Sequence, residues 1–164
     1  MSNPNTIIET KVITINRSGL FRPATFTGPG WTITEEDQRA LALTKIDFTK
    51  VVLKTTLNKK EKSIRGEDNL KRLKSMDCIR LDAMVFYTLW NDQQLIPIKW
   101  KENTNGQKTF IFFDGTVLRN SRSIRCVIYL YWYYHRWRWN IHWLENYWDA
   151  NNLSAVLATS PIVY

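Results

Sequence analysis

Residues 124–143, IRCVIYLYWYYHRWRWNIHW, predict two β-strands joined by a tight turn. The first strand, IRCVIYLYW, is rich in β-branched and aromatic residues, which favour extended structure. The turn falls in YYHR. In the second strand, RWRWNIHW, Trp137, Trp139, Ile141 and Trp143 recur at every second position and therefore share one face. We expect Trp139 and Trp143 to lie in the core, with the intervening side chains exposed.

The residues before this hairpin predict further strands. Alternating polar and apolar residues predict a strand over 6–17. The β-branched residues of KIDFTKVVLKTTL (45–57) predict another strand, with a helix as the alternative. RPATFTGPGW (22–31) holds two Pro and two Gly and is predicted to be a loop. KTFIFFDGTVLR (108–119) predicts two short strands around a turn at Asp114-Gly115, because Asp-Gly supplies the positive φ that a tight hairpin needs.

Three segments carry helical patterns. Thr34 precedes acidic residues, so a helix is predicted over 35–43 with Thr34 as its N-cap. GEDNLKRLKSM (66–76) spaces its apolar residues at helical intervals. LDAMVFYTLWNDQQLIP (81–97) predicts another helix, with Asp82 as its N-cap.

Together these patterns predict an α+β fold with two or three short helices and an antiparallel C-terminal sheet. A chain of 164 residues suits one compact domain over residues 1–164. Within that domain we assign residues 1–125 to a scaffold and residues 126–152 to a display surface rich in Trp, Tyr and Asn.

The composition narrows the class of protein. A hydrophobic content of 44% and a charged content of 23% are typical of a globular domain. No apolar run reaches the roughly 18 residues of a membrane span, and the polar N-terminus lacks the apolar segment of a secretion signal. Cys78 and Cys126 lie far apart, so we expect reduced thiols and a cytoplasmic location. The net charge of +8 suits an acidic partner, nucleic acid above all.

Catalytic and metal-binding patterns are missing from the sequence, so we expect a protein that is not an enzyme and needs no cofactor or metal. There is no P-loop, GxGxxG or GxSxG. His135 and His142 have a spacing that does not suit a metal site on a hairpin. Cys126 lies in an apolar strand and is predicted to be an inert core thiol.

Residues 129–152, YLYWYYHRWRWNIHWLENYWDANN, carry the strongest functional signal. They hold five of the eight Trp, five Tyr, four Asn and both His. A core cannot absorb so many polar groups, because each one buried without a partner costs roughly 1–3 kcal/mol. Rigid amphipathic rings and Asn are instead typical of a recognition surface. We expect the ligand-binding residues to be Tyr131, Tyr133, Tyr134, His135, Arg138, Asn140, His142, Asn146, Tyr147, Asp149, Asn151 and Asn152.

The genetic code gives a second argument for a variable surface. Replacing only adenines in an Asn codon, AAC or AAT, yields Tyr, His, Asp, Ser, Thr or Ile, whereas the Trp codon TGG contains no adenine. Residues 131–152 hold five Trp and Glu145, and eleven of the other sixteen positions are Asn, Tyr, His or Asp. Mutation confined to adenines would leave Trp codons unchanged and convert Asn codons to those of related residues. The sequence shows this pattern of Trp separated by such residues. Adenine-rich codon usage produces part of the same pattern.

Two resemblances rest on these motifs. The series YLYW, RWRW and WLENYWDANNLSAVLA resembles the C-terminal variable regions of target proteins of diversity-generating retroelements. That resemblance implies a C-type-lectin-like fold with variable side chains on its ligand-binding face. GEDNLKRLK, IRLDAMVFYTLW, LIPIKW, FFDGTVLR and NNLSAVLA are similar to uncharacterised short proteins of environmental, candidate-phylum bacteria, over about residues 26–159. This second resemblance implies no activity. Leu153 stands where its pattern has Pro, and the lectin-type ending GFR is missing.

The sequence thus predicts a non-catalytic binding protein whose C-terminal surface recognises a protein or another macromolecule. The alternative is a basic nucleic-acid-binding protein that uses Lys59, Lys60, Lys71, Arg72 and Lys74. Acidic residues at 61, 67 and 68 are interleaved with these cations, which weakens the counterion release that drives phosphate binding.

Overall fold

The computed structural model describes residues 12–159, so the part of the predicted strand 6–17 that precedes Val12 lies outside the described residues. The described chain has the predicted α+β fold, with four α-helices where two or three were expected. The helices are α1 (Pro23–Thr27), α2 (Gln38–Leu41), α3 (Gly66–Lys74) and α4 (Ala83–Asn91), with 3-10 turns at Phe48–Lys50, Gln93–Leu95 and Ile98–Lys101. The strands are β1 (Val12–Thr14), β2 (Thr32–Glu36), β3 (Lys45–Asp47), β4 (Val51–Lys54), β5 (Ser63–Arg65), β6 (Cys78–Arg80), β7 (Phe110–Phe112), β8 (Thr116–Arg119), β9 (Arg125–Tyr133), β10 (Arg136–Trp143), β11 (Tyr147–Asp149) and β12 (Asn152–Ala158).

One mixed sheet of eight strands organises the molecule. Its strand order is β2-β8-β9-β7-β12-β4, with β10 beside β9 and β6 beside β12. Strands β7 and β8 bond in turn to one edge of β9, and β10 bonds to its other edge. All pairs are antiparallel except β7 with β12. The predicted antiparallel sheet is therefore present, with one parallel pair that the sequence did not indicate. Two small sheets, β1-β3 and β11-β5, complete the described part.

The β9–β10 hairpin has the predicted turn and the predicted two-residue periodicity. Its register runs from Tyr133 opposite Arg136 to Cys126 opposite Trp143. Trp137 is buried, and Trp139 is half-buried against the main core, so both lie on the core side of the hairpin. The prediction that Trp143 is core is wrong, because Trp143 is 38% exposed. Trp143 shares the parity of Trp137 and Trp139 but lies at the far end of the strand, where this packing stops.

The sheet is covered by apolar residues on both faces. On one face Phe86 and other residues of α4 pack against Ile128 and Leu130 of β9. On the opposite face Trp148 of β11 stacks on Phe112 at a centroid distance of 4.1 Å and joins Leu70 of α3. The hairpin is therefore anchored by a core on one face and, near its base, by a second core on the other.

The longer helices begin at their predicted positions, but α4 ends at Asn91, and a 3-10 turn over Gln93–Leu95 occupies part of the segment before Pro97. The side chain of Asp82 accepts a hydrogen bond from the Val85 N–H at 3.1 Å, which makes it the N-cap of α4 as predicted. Helix α2 begins later than predicted, and its N-cap is Asp37. The Asp37 carboxylate accepts a hydrogen bond from the Arg39 N–H at 3.0 Å. The predicted cap Thr34 lies in β2 instead. None of the helices within residues 12–159 is long and apolar enough to cross a membrane.

Two predicted loop or turn assignments need correction. The segment 22–31, predicted to be a loop, contains the short helix α1. Pro23 is its first residue, where a backbone N–H would have no partner within the helix and its absence costs nothing. Asp114-Gly115 is not a hairpin turn, because β7 and β8 pair with β9 rather than with each other. Gly115 has no positive φ. A Cβ at Gly115 would collide with the Arg80 carbonyl oxygen, so the glycine permits a close approach of two backbones.

Candidate functional site

The hairpin face opposite the tryptophans carries two facing rows of polar and aromatic side chains. The register places Tyr129 opposite Asn140, Tyr131 opposite Arg138, and Tyr133 opposite Arg136. We call this set the tyrosine face, and it consists of Tyr129, Tyr131, Tyr133, Arg136, Arg138, Asn140 and His142. Five of the twelve predicted residues belong to it: Tyr131, Tyr133, Arg138, Asn140 and His142. A sixth and a seventh, Tyr134 and His135, form the adjoining hairpin tip.

The aromatic rings of the tyrosine face are half-buried toward the hairpin base and exposed at its tip. At the base, the ring of His142 packs 5.7 Å from Trp148 and 5.9 Å from Phe112, centroid to centroid. Near the tip, Tyr133 is 39% exposed and Tyr134 is 72% exposed. A ligand can therefore reach the half of the face that lies nearest the tip.

His142 belongs to the closed end of the face. Burial lowers the pKa of its imidazole, partly opposed by the Tyr147 backbone, so the ring is neutral at neutral pH. Its Nε2 atom is buried and has no hydrogen-bond partner among residues 12–159. His142 is thus poorly placed to meet a ligand directly, although it was predicted to bind one.

Two cations lie against the tyrosine rings at the open end. The Lys108 Nζ is 3.5 Å from the centroid of Tyr133 and 5.6 Å from that of Tyr131. The Arg138 guanidinium carbon is 5.4 Å from the Tyr133 centroid. Cations at these distances are attracted by the negative ring faces. Tyr133 therefore holds both positive charges in position at the surface.

These cations have no anionic partner among the described residues, unlike several arginines of the scaffold. Arg17 pairs with Asp82 at 2.7 Å, and Arg125 pairs with Glu67 at 2.8 Å. In contrast, no carboxylate within residues 12–159 lies within 4.0 Å of the charged groups of Lys108, Arg136 or Arg138. The Nε of Arg138 is buried and likewise has no partner among the described residues. The open end of the tyrosine face therefore has a positive charge that its own structure does not neutralise.

The hairpin tip is strained. Tyr134 and His135 have φ values of 47° and 60°, in the left-handed region. A two-residue hairpin requires these angles, and Asn-Gly satisfies them best. Residues with a Cβ incur a cost of roughly 1–2 kcal/mol each in this conformation. Residues held in sparsely populated backbone conformations cluster at functional sites.

The other five predicted residues lie away from the tyrosine face. Tyr147 is 71% exposed and lines a cavity of about 380 Å³ beside α3, while Asp149 and Asn151 line another of about 310 Å³. Asn146 is exposed in the β10–β11 turn. Asn152 accepts from the Asp149 N–H at 3.0 Å and so shapes the turn before β12.

Asn151 has a structural role. It is 8% exposed, and its amide donates to the Lys108 carbonyl at 2.9 Å. Asn151 therefore helps to fix the backbone of Lys108 and does not form part of the exposed surface.

Sequence reasoning missed Lys108, Tyr129 and Arg136. Tyr129 and Arg136 could have been included from the period-two pattern, because they share parity with Tyr131 and Arg138. Lys108 had no comparable signal. It lies before β7, and only the pairing of β7 with β9 brings it next to Tyr133.

A second polar cluster is closed to solvent and links three of the motifs singled out above. The Ser154 hydroxyl donates to an Asp114 carboxylate oxygen at 2.5 Å, and Arg80 donates to the Asp114 carbonyl at 2.6 Å. Burial raises the pKa of Asp114 to about 6, although the bond from Ser154 lowers it. All three residues are 5% exposed or less. This cluster joins β6, β12 and the segment after β7 and offers no access to a substrate.

The remaining chemical groups do not form an evident reactive site. Burial raises the pKa of the Cys126 thiol to about 11, which keeps it protonated and unreactive. Within residues 12–159 no group of three His, Cys, Asp or Glu side chains is arranged to hold a metal. A cavity of about 480 Å³ beside α1 and α4 is lined by Phe21, Phe26 and Tyr87 and includes none of the predicted residues.

The basic residues of the alternative hypothesis are partly neutralised. Arg72 makes two hydrogen bonds to Glu61, at 2.7 and 3.0 Å, and Lys74 pairs with Glu35. Lys59, Lys60 and Lys71 are exposed. The α3 region thus keeps three of its five predicted phosphate-binding cations free of ion pairs with described residues.

In comparisons with known proteins, no family model, no curated protein and no solved structure matches this chain.

Proposed function

We propose that this protein is a non-catalytic binding protein and that the tyrosine face and hairpin tip recognise a macromolecular ligand, most directly a protein. The observation that carries the proposal is the open end of the face, where Tyr133, Tyr134 and unneutralised cations lie together. Tyr and Arg are the residues that dominate binding energy in protein interfaces. A rigid display of such side chains binds with little loss of conformational entropy.

The hairpin supplies that rigidity. Trp137 and Trp139 fasten its inner face to the main core, and Trp148 supports its base from the other side. Side chains on the outer face can therefore vary while the backbone stays in place. Trp137, Trp139 and Trp148 fit the codon pattern, which predicts fixed Trp residues in the frame, whereas exposed Trp143 and buried Asn151 do not.

A selection experiment tests the proposal. A random peptide library displayed on phage is selected on the wild-type protein, and the enriched peptides are then measured against Tyr133→Ala/Tyr134→Ala. We expect most of them to lose binding to this variant. Tyr87→Ala is the matched control, because Tyr87 is 37% exposed but lies on α4. Peptides that bind the wild type and the double variant equally would show that the tyrosine face is not a recognition surface.

Nucleic-acid binding is the second candidate, and the exposed Lys59, Lys60 and Lys71 support it together with the net charge of +8. If phosphate contacts dominate, affinity for single-stranded DNA falls steeply with salt, with a log–log slope near the number of ion pairs. Filter binding at low and moderate salt measures this slope. Absent or salt-insensitive binding would remove this candidate. Lys71→Glu should also weaken binding, whereas Tyr87→Ala should not.

We also propose a cytoplasmic location, which the two free thiols, Cys78 and Cys126, support. Fractionation of cells that express the tagged protein tests it. Recovery in the membrane or secreted fraction would contradict the proposal.

A further inference from the structure

The outer edge of β10 has free backbone groups at defined positions. β10 pairs with β9 alone among the described strands. Tyr133 and Arg136 flank a two-residue turn, so their backbone groups form a hydrogen-bonded pair. Because such pairs alternate along an antiparallel ladder, the backbone groups of the even-numbered residues of β10 bond to β9. The Leu144 N–H to Arg125 carbonyl bond of 3.0 Å continues the same alternation. The N–H and C=O groups of Trp137 and Trp139 therefore point away from β9.

Farther along this edge, one backbone group of Ile141 and one of Trp143 are already bonded. The Asn140 side chain accepts a hydrogen bond from the Ile141 N–H at 2.7 Å. The Trp143 carbonyl accepts one from the Asn146 N–H at 3.1 Å. The open part of the edge is thus short and centred on Trp137 and Trp139, at the end of β10 nearest the hairpin tip.

Side chains next to this open edge alternate in character. Arg136 and Arg138 project on the tyrosine face, while Trp137 and Trp139 project on the other. Neither arginine has a carboxylate partner within residues 12–159, and the Arg138 Nε is buried without a partner. A strand added beside β10 would place its own side chains next to these rows, roughly 5 Å away. Acidic side chains would suit the arginine row and apolar ones the tryptophan row.

We propose that the ligand is an extended protein segment in which acidic residues alternate with apolar residues, and that it binds as an additional strand on the open edge of β10. This inference rests on the proposed function. Strand addition gives affinity through main-chain hydrogen bonds and specificity through alternate side chains. Its carboxylates would repeat at roughly 7 Å, the two-residue rise of a strand and therefore the spacing between Arg136 and Arg138.

The occupied tyrosine rings favour this ligand over a nucleic acid. Lys108 and Arg138 both lie against Tyr133, and Tyr131 packs on Phe110 at 5.6 Å between centroids. Bases bind single-strand platforms by stacking on free aromatic faces. For a base to stack on Tyr133, the charged groups of Lys108 and Arg138 would first have to move away from its ring. Carboxylates need only to approach cations that are already in position.

Fluorescence anisotropy with labelled synthetic peptides provides the test. The probe is an eight-residue peptide of alternating Glu and Val, and the control peptide has the same composition in two blocks. We expect the wild type to bind the alternating peptide at least roughly ten-fold more tightly than the block peptide. Arg136→Glu, an exposed substitution, should weaken this binding roughly ten-fold and should create binding to a Lys–Val peptide. Arg122→Glu makes the same charge change in the turn before β9 and should leave binding within roughly two-fold.

Hydrogen exchange followed by NMR identifies the edge itself. Peptide binding should slow exchange of the Trp137 and Trp139 amides and leave those of Arg138 and Asn140 unchanged, because the latter already bond to β9. Equal binding of the two peptides, or unchanged exchange at Trp137 and Trp139, would overturn the inference.

Four other outcomes would assign the edge or the face differently. Concentration-dependent dimers in sedimentation that slow the Trp139 amide would make a second copy the occupant. An oligothymidylate that displaces the peptide and binds more tightly would make it a nucleic acid. Either result overturns the inference. If library peptides lose binding to Tyr133→Ala/Tyr134→Ala but the Glu–Val peptide does not bind, strand addition is wrong and the proposed function stands. If no selected peptide depends on that face, the proposed function fails as well.

Discussion

At the scale of single residues, the hairpin tip has a conformation that its side chains disfavour. His135 has a φ of 60°. We expect His135→Gly to raise the free energy of unfolding by roughly 1 kcal/mol, because glycine adopts positive φ without a steric cost. Urea denaturation measures the change. His135→Ala is the control, since it keeps the Cβ and should give no such gain. Equal stability of the glycine and alanine variants would show that the tip is unstrained.

The buried imidazole of His142 predicts a pH dependence of stability. Burial holds its pKa in the folded protein below the ordinary value of 6.5. As pH falls through 6.5, the unfolded chain takes up a proton that the folded protein resists, so the free energy of unfolding decreases. His142→Phe should remove this contribution, and the difference between the two proteins should grow between pH 7 and pH 5. A constant difference would contradict the assignment. His135→Gln, at the exposed tip, is the control.

Residue positions were predictable from sequence where periodicity alone decides them. Alternation placed Trp137 and Trp139 on one strand face, and the structure agrees. It could not show that Trp143, with the same parity, lies beyond the edge of the core. Asp114-Gly115 was misassigned for a related reason. Local preference indicated a turn, whereas the glycine is needed because the Arg80 backbone, distant in sequence, passes close by.

At the scale of secondary-structure elements, β11 and the hairpin are joined by one tryptophan. Trp148 is 1% exposed, stacks on Phe112 of β7 and lies 5.7 Å, centroid to centroid, from the ring of His142 in β10. Trp148→Ala should lower the free energy of unfolding by roughly 3–5 kcal/mol, as aromatic truncations in cores do. Trp143→Ala, at a 38% exposed position, should cost less than roughly 1 kcal/mol. Urea denaturation of both variants measures the contrast. Similar losses would place Trp143 in the core after all.

The elements that sequence predicted well are those whose signals are local. Helices α3 and α4 have amphipathic spacing, and α4 has its N-cap at Asp82. The end of β2, Glu35 and Glu36, was assigned to a helix, since only the pairing of β2 with β8, far along the chain, makes it extended. The candidate site likewise has one part with a local sequence signal and one part that depends on distant contacts. The hairpin could be predicted, whereas the contribution of Lys108 depends on how β7 meets β9.

At the scale of the whole molecule, the buried Asp114 cluster couples the fold to pH. The pKa of Asp114 is about 6 in the folded protein, against 3.8 ordinarily. Between these values the folded protein holds a proton that the unfolded chain has lost, so stability falls as pH rises. The free energy of unfolding falls by about 3 kcal/mol in total across this pH range. Asp114→Asn, which keeps an acceptor for Ser154, should flatten this part of the profile in urea denaturation at several pH values between 4 and 7.

Ser154→Ala provides the matched control for that profile. It removes the hydroxyl that lowers the pKa of Asp114, so the decline of stability should extend to higher pH than in the wild type. Parallel profiles for the wild type and Asp114→Asn would show that the carboxyl does not titrate in this range.

The position of β12 has a consequence for the timing of synthesis. β12 lies inside the sheet, between β7 and β4, although it is the last described strand to be translated. The β9–β10 hairpin needs only neighbouring residues and can form earlier, but the Asn151 amide that holds Lys108 comes just before β12. A ribosome-bound chain that has not yet released this strand would present the hairpin beside an incomplete sheet, with β7 lacking its β12 neighbour. If the proposed function holds, the binding surface reaches its final form only when the last described strand has entered the sheet.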